Sequence, residues 1–183
     1  LLEAFHSSVQ LQRAPDELSV GQLRQRIARA VEQDKELVID PRLFAELPRY
    51  LPEITQVEIQ LKRGGADNEL TRYRYDVVLH VGAVREEVPS RRVRWSAPHG
   101  VAQLLQQQLS QEGIFIEGIA NRRIARDLAA LELLAGSEER STVQELRRQL
   151  AATSIECAAP EEFDEWARAH GYEAQLCWGE ALG

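Results

Sequence analysis

Stretches whose apolar residues recur at every second position alternate along this chain with stretches of helical period, and that mixture predicts an α/β fold. The clearest strand sets Val57, Ile59 and Leu61 against Glu58, Gln60 and Lys62. The clearest helix carries Val20, Leu23, Ile27, Ala30 and Val31 on one face, with Arg24, Arg26 and Arg29 turned to water. At 44% hydrophobic residues in a chain of 183, there is material for a real core. That length suits one domain, or one domain with an appendage.

The elements follow in order. Leu1, Leu2, Phe5, Val9 and Leu11 have helical spacing. Ser19 and Gln22 form a capping-box pattern at the start of the Val20 helix. Asp40-Pro41 reads as an N-cap followed by a first-turn proline, and the short helix bearing Leu43, Phe44 and Leu47 is expected to stop at Pro48. A strand from Val57 to Arg63 leads into a loop over residues 64–71. A second strand starts at about Arg72 and places Tyr73, Tyr75, Val77, Leu79 and Val81 on one side. Two strands joined without a helix are most simply antiparallel partners. The loop exceeds the usual hairpin length, which points to a use beyond turning the chain.

Residues 84–98, polar and bounded by Pro89 and Pro98, read as a connector with a short strand at Val93 to Trp95. Beyond it, Val101, Leu104, Leu105 and Leu109 form a helical stripe ended by Gly113. Ile114-Phe115-Ile116 reads as a short buried strand, and Asn121 caps a helix through Leu134 to Gly136. Thr142 and Glu145 offer another capping box, for a helix through Leu150. Pro160 opens the last helix, with Phe163, Trp166 and Ala167, which stops at Gly171; residues 172–178 then alternate like a strand. No internal repeat is found.

Composition narrows the function classes. No apolar run reaches the roughly 18–20 residues of a membrane span, and no charged leader precedes an apolar stretch, so a soluble protein is expected. Net charge is −7, the wrong sign for a nucleic-acid domain. The short cluster Arg91, Arg92 and Arg94 reads as a solvated strand edge. Cys157 and Cys177 form no disulfide framework; Cys177 falls in the alternating tail, so a buried thiol in a reducing cytoplasm is expected. Methionine is absent and Leu1 begins in amphipathic sequence, which predicts excision from inside a longer polypeptide.

Several catalytic signatures are missing. Gly64-Gly65 is read as leading into a strand, where a phosphate cradle needs a helix. His6, His80, His99 and His170 lack metal-ligand spacing, so no metal is expected. No serine sits in a nucleophile elbow. Hydrolase and metalloenzyme readings lose most of their weight. What stands out is Asn68-Glu69-Leu70-Thr71-Arg72-Tyr73-Arg74-Tyr75-Asp76-Val77-Val78, which packs amide, carboxylate, hydroxyl, guanidinium and phenol groups at the start of a strand.

That run resembles a signature motif of the N-methyltransferase domains of nonribosomal peptide synthetases: Asn-Glu-Leu-Ser, any residue, Tyr-Arg-Tyr, any residue, Ala-Val. Asn68, Glu69, Leu70, Tyr73, Arg74, Tyr75 and Val78 match it; Thr71 replaces serine and Val77 replaces alanine. Leu1-Leu2-Glu3-Ala4-Phe5-His6 is similar to the segment after the fifth core strand of such domains. Ala167-Arg168 with Gly171 resembles the family's last motif, with Ala169 in place of its glutamine.

The resemblance covers essentially the whole chain and only the C-terminal half or so of the domain. It implies the end of a doubly wound, Rossmann-like sheet whose last two strands form an antiparallel pair. Residues 1–83 would be the C-terminal half of the methyltransferase core, 84–98 the connector and 99–183 a small α/β appendage. The glycine-rich turn that binds S-adenosylmethionine would precede Leu1, so no cofactor-binding residue is assigned to this chain. The implied partners are the upstream half of the domain, adenylation and peptidyl carrier domains, and a carrier-bound aminoacyl or peptidyl thioester.

In such sheets ligands bind beyond the carboxyl ends of the parallel strands, which puts Asn68 to Arg72 on the substrate side. Glu69 would orient the acceptor amine or accept its proton, and Asn68 would hold the neighbouring carbonyl. Arg72, Tyr73 and Tyr75 would line the substrate, a tyrosine face favouring a cationic donor. His6 would reach the cleft from the first segment. The alternatives are that Tyr75 belongs to the core, that Arg74 pairs with Asp76 or a helix, that His6 packs locally, that Asn121 is an N-cap, and that Trp95, Trp166 and Trp178 are core. Two other functions stay open: a non-catalytic docking module of a synthetase, and an O-methyltransferase relative.

Overall fold

The computed structural model describes residues 1–83, 91–96, 100–108 and 113–179. In chain order the elements are α1 (Leu2–Arg13), α2 (Val20–Gln33), α3 (Pro41–Ala45), α4 (Leu47–Tyr50), β1 (Ile54–Leu61), α5 (Glu69–Tyr73), β2 (Tyr75–Val81), β3 (Arg92–Arg94), α6 (Gly100–Gln108), β4 (Phe115–Glu117), α7 (Arg122–Gly136), α8 (Val143–Ala152) and α9 (Pro160–Ala169). The chain is mixed α/β with small sheets. Its contacts gather it into two units, residues 1–38 with 123–155 and residues 39–122 with 156–183. The boundaries expected at residues 83 and 98 both fall within the second unit. Residues 84–90 and 97–98 of the expected connector lie outside the described residues, as does Leu109 of the helical stripe.

The first unit is two helical hairpins, α1–α2 and α7–α8, whose second helices begin alike. Ser19-Val20-Gly21-Gln22-Leu23-Arg24 and Thr142-Val143-Gln144-Glu145-Leu146-Arg147 each open with a capping box. Ser19 Oγ accepts from Gln22 N–H at 3.2 Å and Gln22 Oε1 from Ser19 N–H at 3.3 Å; Thr142 Oγ1 and Glu145 Oε2 repeat this at 3.3 and 2.8 Å. The two helix starts then exchange backbone bonds. Val20 N–H donates to Ser141 O (2.8 Å) and Val143 N–H to Leu18 O (2.9 Å), while Gly21 N–H donates to Glu139 O (2.9 Å) and Gln144 N–H to Asp16 O (3.1 Å). Orphan amides of both helices are thereby satisfied. Glycine at 21 fits the close approach, since a Cβ there would lie 3.3 Å from Glu139 Cβ.

The arginines complete the reciprocity. Arg24 reaches the end of α7, where its guanidinium donates to Leu134 O, to Ala135 O at 3.1 Å and to Ser137 O at 2.7 Å. Arg147 reaches the end of α1 and donates to Leu11 O (2.6 Å), Gln12 O (3.3 Å) and Ala14 O (2.9 Å). Each cation covers carbonyls at a helix C-terminus, where the helix dipole favours positive charge. Between the hairpins lies a core of Ala14, Val20, Leu23, Ile27, Leu134, Val143 and Leu146. The structure thus contains a paired motif that the sequence reading did not find. Arg147→Ala is expected to cost about 1–3 kcal/mol, the scale of hydrogen bonds to a charged group. Arg147→Lys recovers only part of it, because an ammonium cannot fork across several carbonyls. Urea unfolding of both variants checks this.

In the second unit, β1 and β2 are antiparallel as expected, with Val57 opposite Leu79, Ile59 opposite Val77 and Leu61 opposite Tyr75. These apolar pairs share one face; Gln56, Glu58, Gln60, Asp76 and His80 share the other. β3 and β4 pair in parallel, with α6 in the crossover between them, as parallel strands require. Val101, Leu104, Leu105, Ala158 and Phe163 make the core beside them, with Trp95 and Trp166 packed on it.

Four expectations are corrected. Pro48 does not end the helical stretch: α4 starts at Leu47 and holds Pro48 in its first turn, where a missing N–H costs nothing. The second strand starts at Tyr75, because residues 69–73 wind into α5. The short strand is Phe115–Glu117, and Phe115 is 39% exposed, with the Arg92 guanidinium 4.7 Å above its ring. Cys177 is exposed. Among the described residues, the tail's backbone bonds to β1 flank an antiparallel bridge at Gln60, Leu61 N–H donating to Leu176 O (3.0 Å) and Trp178 N–H to Ile59 O (2.8 Å), and the Gln175 side chain donates to Glu58. Residue parity there sets Cys177 on the polar face with Gln60.

Candidate functional site

The motif run folds into a capped tip between β1 and β2. Asn68 is the N-cap of α5, its Oδ1 accepting from Leu70 N–H at 3.0 Å and Thr71 N–H at 3.2 Å. Thr71 Oγ1 accepts from Asn68 N–H at 3.2 Å and donates to Ala66 O at 2.6 Å, closing the loop onto the helix. One turn is too short to hold itself in water; these side-chain bonds and the strand at each end hold it. Asn68 Oδ1 is therefore committed to the backbone.

Glu69 occupies the first turn of α5, where the helix dipole favours a carboxylate. Its side chain is 50% exposed and Oε1 stands 3.7 Å from Arg74 Nη2, an ion pair rather than a hydrogen bond. Arg72 grips Asp67 with two parallel bonds, Nε to Oδ1 at 2.6 Å and Nη2 to Oδ2 at 2.9 Å. Tyr73 closes α5, half-buried. Tyr75 opens β2, and its hydroxyl donates to Ile39 O while Phe44 meets its ring edge-on at 6.3 Å. Desolvation, and then the Asp40 carboxylate, hold the Tyr75 phenol above its ordinary range. Tyr75 thus clamps the start of α3 to the strand that carries the tip.

Asp40 caps α3 through Arg42 N–H at 2.9 Å and receives the Arg42 guanidinium at 3.0 and 2.7 Å. The Arg42 side chain first, and its backbone N–H second, lower the Asp40 carboxyl from 3.8 to about 2. A lowered folded-state value gives a contribution present above 3.8 and lost as pH falls through about 2. Asparagine keeps the cap but not the charge. The melting-temperature gap between wild type and Asp40→Asn is therefore expected at neutral pH and should close between about pH 4 and pH 2.

The remaining expected residue lies in the first unit. His6, on α1, places Nε2 2.7 Å from Asp34 Oδ2, with side chains 13% and 15% exposed. Asn68, Glu69, Arg72 and Tyr73 are brought together on the tip, Tyr75 lies at its base, and His6 belongs to the other unit. Asp34 and Asp67 were missed. Asp67 could have been found from its place beside the capping pattern; Asp34 carries no local signal. Arg74 pairs with Glu69 at the helix start and Asp76 pairs with Lys62. Among the described residues, no three His, Cys, Asp or Glu side chains stand close enough to hold a metal ion. No helix among them is long and apolar enough to cross a membrane.

The chain's relatives are nonribosomal peptide synthetases. It is 40% identical over 152 residues to chondramide synthase cmdD of Chondromyces crocatus, an alignment covering 77% of this chain and 4% of that protein. It is 42% identical over 78 residues to the nonribosomal peptide synthetase asqK of Emericella nidulans, covering 42% of this chain and 3% of the synthetase. To the nonribosomal peptide synthetase TES of Alternaria alternata it is 26% identical over 195 aligned residues, covering 97% of this chain and 4% of that protein. The chain therefore matches a small segment of large multidomain enzymes of nonribosomal peptide biosynthesis. No family model matches it.

Proposed function

We propose that this chain is the C-terminal part of an S-adenosylmethionine-dependent N-methyltransferase domain within a nonribosomal peptide synthetase. Its substrate is the amine of a carrier-bound aminoacyl or peptidyl thioester. The observation that carries the reading is the run Asn68 to Tyr75, which resembles the family motif and folds as a capped helical turn leading into the second strand of an antiparallel pair. β1 and β2 fit the last two strands of a Rossmann-like sheet whose parallel strands are encoded upstream. The synthetase relatives support the setting.

On this reading the tip serves the acceptor. The Glu69 carboxylate takes the amine N–H and fixes the lone pair, and Asn68 Nδ2 donates to the neighbouring carbonyl. Arg72, locked on Asp67, keeps the helix rigid beside the substrate. Tyr73 shapes the wall. S-adenosylmethionine supplies the electrophilic methyl group when bound. Among the described residues, the helix after Gly64-Gly65 is five residues long and its first amides are taken by Asn68. On this reading the donor is bound chiefly by the upstream half of the domain. Adenylation and carrier domains are the expected neighbours.

The test is the intact synthetase module, loaded with an aminoacyl thioester and given labelled S-adenosylmethionine. Label on the substrate nitrogen is expected. Label on oxygen would assign an O-methyltransferase instead, and a module that neither binds nor uses the donor would leave only the docking role.

A further inference from the structure

We infer that Arg74 is the positioning residue for Glu69, holding its carboxylate in place on the tip without occupying the oxygens that meet the acceptor amine. This rests on the function proposed above. Two acid–arginine pairs straddle the five-residue helix α5. Asp67 with Arg72 and Glu69 with Arg74 are each five positions apart, the acid first, so the pairs interleave along one turn. Their geometries differ. Arg72 binds both oxygens of Asp67, at 2.6 and 2.9 Å. Arg74 Nη2 stands 3.7 Å from Glu69 Oε1, inside ion-pair range and outside hydrogen-bond range.

Arg74 is the C-cap of α5, with extended backbone at φ −107° and ψ 155°, where the chain enters β2. Tyr75, the next residue, lies opposite Leu61 in the strand ladder and bonds Ile39 O through its hydroxyl. The stem of Arg74 is thus set by the strand that follows it. Strand parity puts Arg74 on the side of Asp76, yet Asp76 is held by Lys62. Arg74 reaches back instead to Glu69 in the first turn of α5. Stability gives little reason for this pair, since its side chains are 38% and 50% exposed and such pairs add next to nothing to folding. What the pair supplies is direction. A glutamate free in water samples many rotamers, and a cation on a fixed stem favours those that bring the carboxylate toward it.

In the proposed reaction Glu69 accepts the acceptor N–H, so that the nitrogen lone pair faces the methyl group. The nitrogen bonds to the methyl carbon as the carbon–sulfur bond breaks, and the proton of the resulting ammonium passes to the Glu69 carboxylate and then to solvent. Arg74 neither gives nor takes a proton. A guanidinium bonded to both oxygens, as at Asp67, would leave the carboxylate fewer sites for that N–H. At 3.7 Å the attraction remains and Glu69 keeps its lone pairs for the amine.

In the intact synthetase module, Arg74→Gln is expected to lower kcat about 10-fold, less than loss of the carboxylate itself. KM for the thioester and the melting temperature should stay as in wild type. Arg74→Lys should recover part of the rate, because it keeps the charge and the fork is not needed at a contact without hydrogen bonds. In a Glu69→Gln background, Arg74→Gln should cost nothing further, because Arg74 acts only through Glu69. Carbon-13 NMR of the glutamate carboxylates in the 183-residue chain, with Glu69 assigned by its loss in Glu69→Gln, reads the pair without catalysis. Arg74→Gln should move the Glu69 resonance, and Arg74→Lys should leave it near the wild-type position.

Full kcat in Arg74→Gln overturns the inference, and so does an equal loss with and without the Glu69 carboxylate. A Glu69 resonance that Arg74→Gln leaves unmoved overturns it as well. So does a loss of rate that tracks a lower melting temperature, which makes Arg74 a strut of the tip. If wild type transfers no methyl at all, the proposed function falls, while the carboxylate spectrum still decides whether Arg74 holds Glu69.

Discussion

Leu146→Ala is expected to lower the unfolding free energy of the first unit by roughly 3–4 kcal/mol. Leu146 is 2% exposed and Leu23 0%, and both sit in the one core between the hairpins. Truncation removes the transfer energy of the lost carbons and leaves a cavity whose walls are helix starts tied by backbone bonds, so little collapse can follow. Leu23 holds the matching place, so Leu23→Ala should cost nearly as much, and the double variant should depart from additivity. Against a typical total of about 5–15 kcal/mol, either change is large. Leu43→Ala, at a residue 58% exposed, should cost far less, which gives the control. Denaturant unfolding with an unchanged slope checks the set. A Leu146→Ala loss below about 1 kcal/mol would mean the hairpins do not share a core.

Glu69→Gln is expected to lower methyl-transfer turnover by roughly 100-fold or more while leaving the fold intact. Glutamine keeps the shape and the helical position. What it removes is the charge that, on the function proposed above, fixes the amine. The structural cost is small because the Arg74 partner is 3.7 Å away and the carboxylate half exposed, so the pair is worth at most about 1 kcal/mol. Loss of charge at the first turn costs a further few tenths of a kcal/mol, on the order of the exposed helix-dipole term. Activity and stability thus separate in one variant. Turnover equal to wild type, measured in the loaded module, would remove Glu69 from the mechanism. Asn68→Ala behaves differently, losing the cap and loosening the tip as a whole.

Local chemistry was the legible part of this sequence. Both capping boxes, Asp40-Pro41 and the antiparallel pair were readable because each is encoded within a few residues or by strict alternation. The tip was half legible. Its residues stood out, but a helix of five residues leaves no periodicity to count, and Asn68 followed by Thr71 is a weaker capping pattern than one ending in Glu or Gln. Pro48 misled because the same proline that blocks a helix interior is tolerated in a first turn. The tail misled because alternation fixes which way a side chain points and not how many backbone bonds form. Asp34 was illegible, since its partner lies far along the chain and on another helix. The reciprocal arginines were hidden for the same reason: Arg24 reads as a water-facing residue, and Arg147 carries no local signal, until the opposite helix end is in place.

Those reciprocal bonds make the first unit a clasp whose halves recognise each other without regard to the chain between them. Residues 39–122 leave from one half and return to the other, so a cut within them would leave two polypeptides that still share every fastening. The same fastenings are available between molecules. At high concentration one copy's leading hairpin can close on a neighbour's trailing one, giving a swapped pair with all bonds conserved and only the tether's path altered.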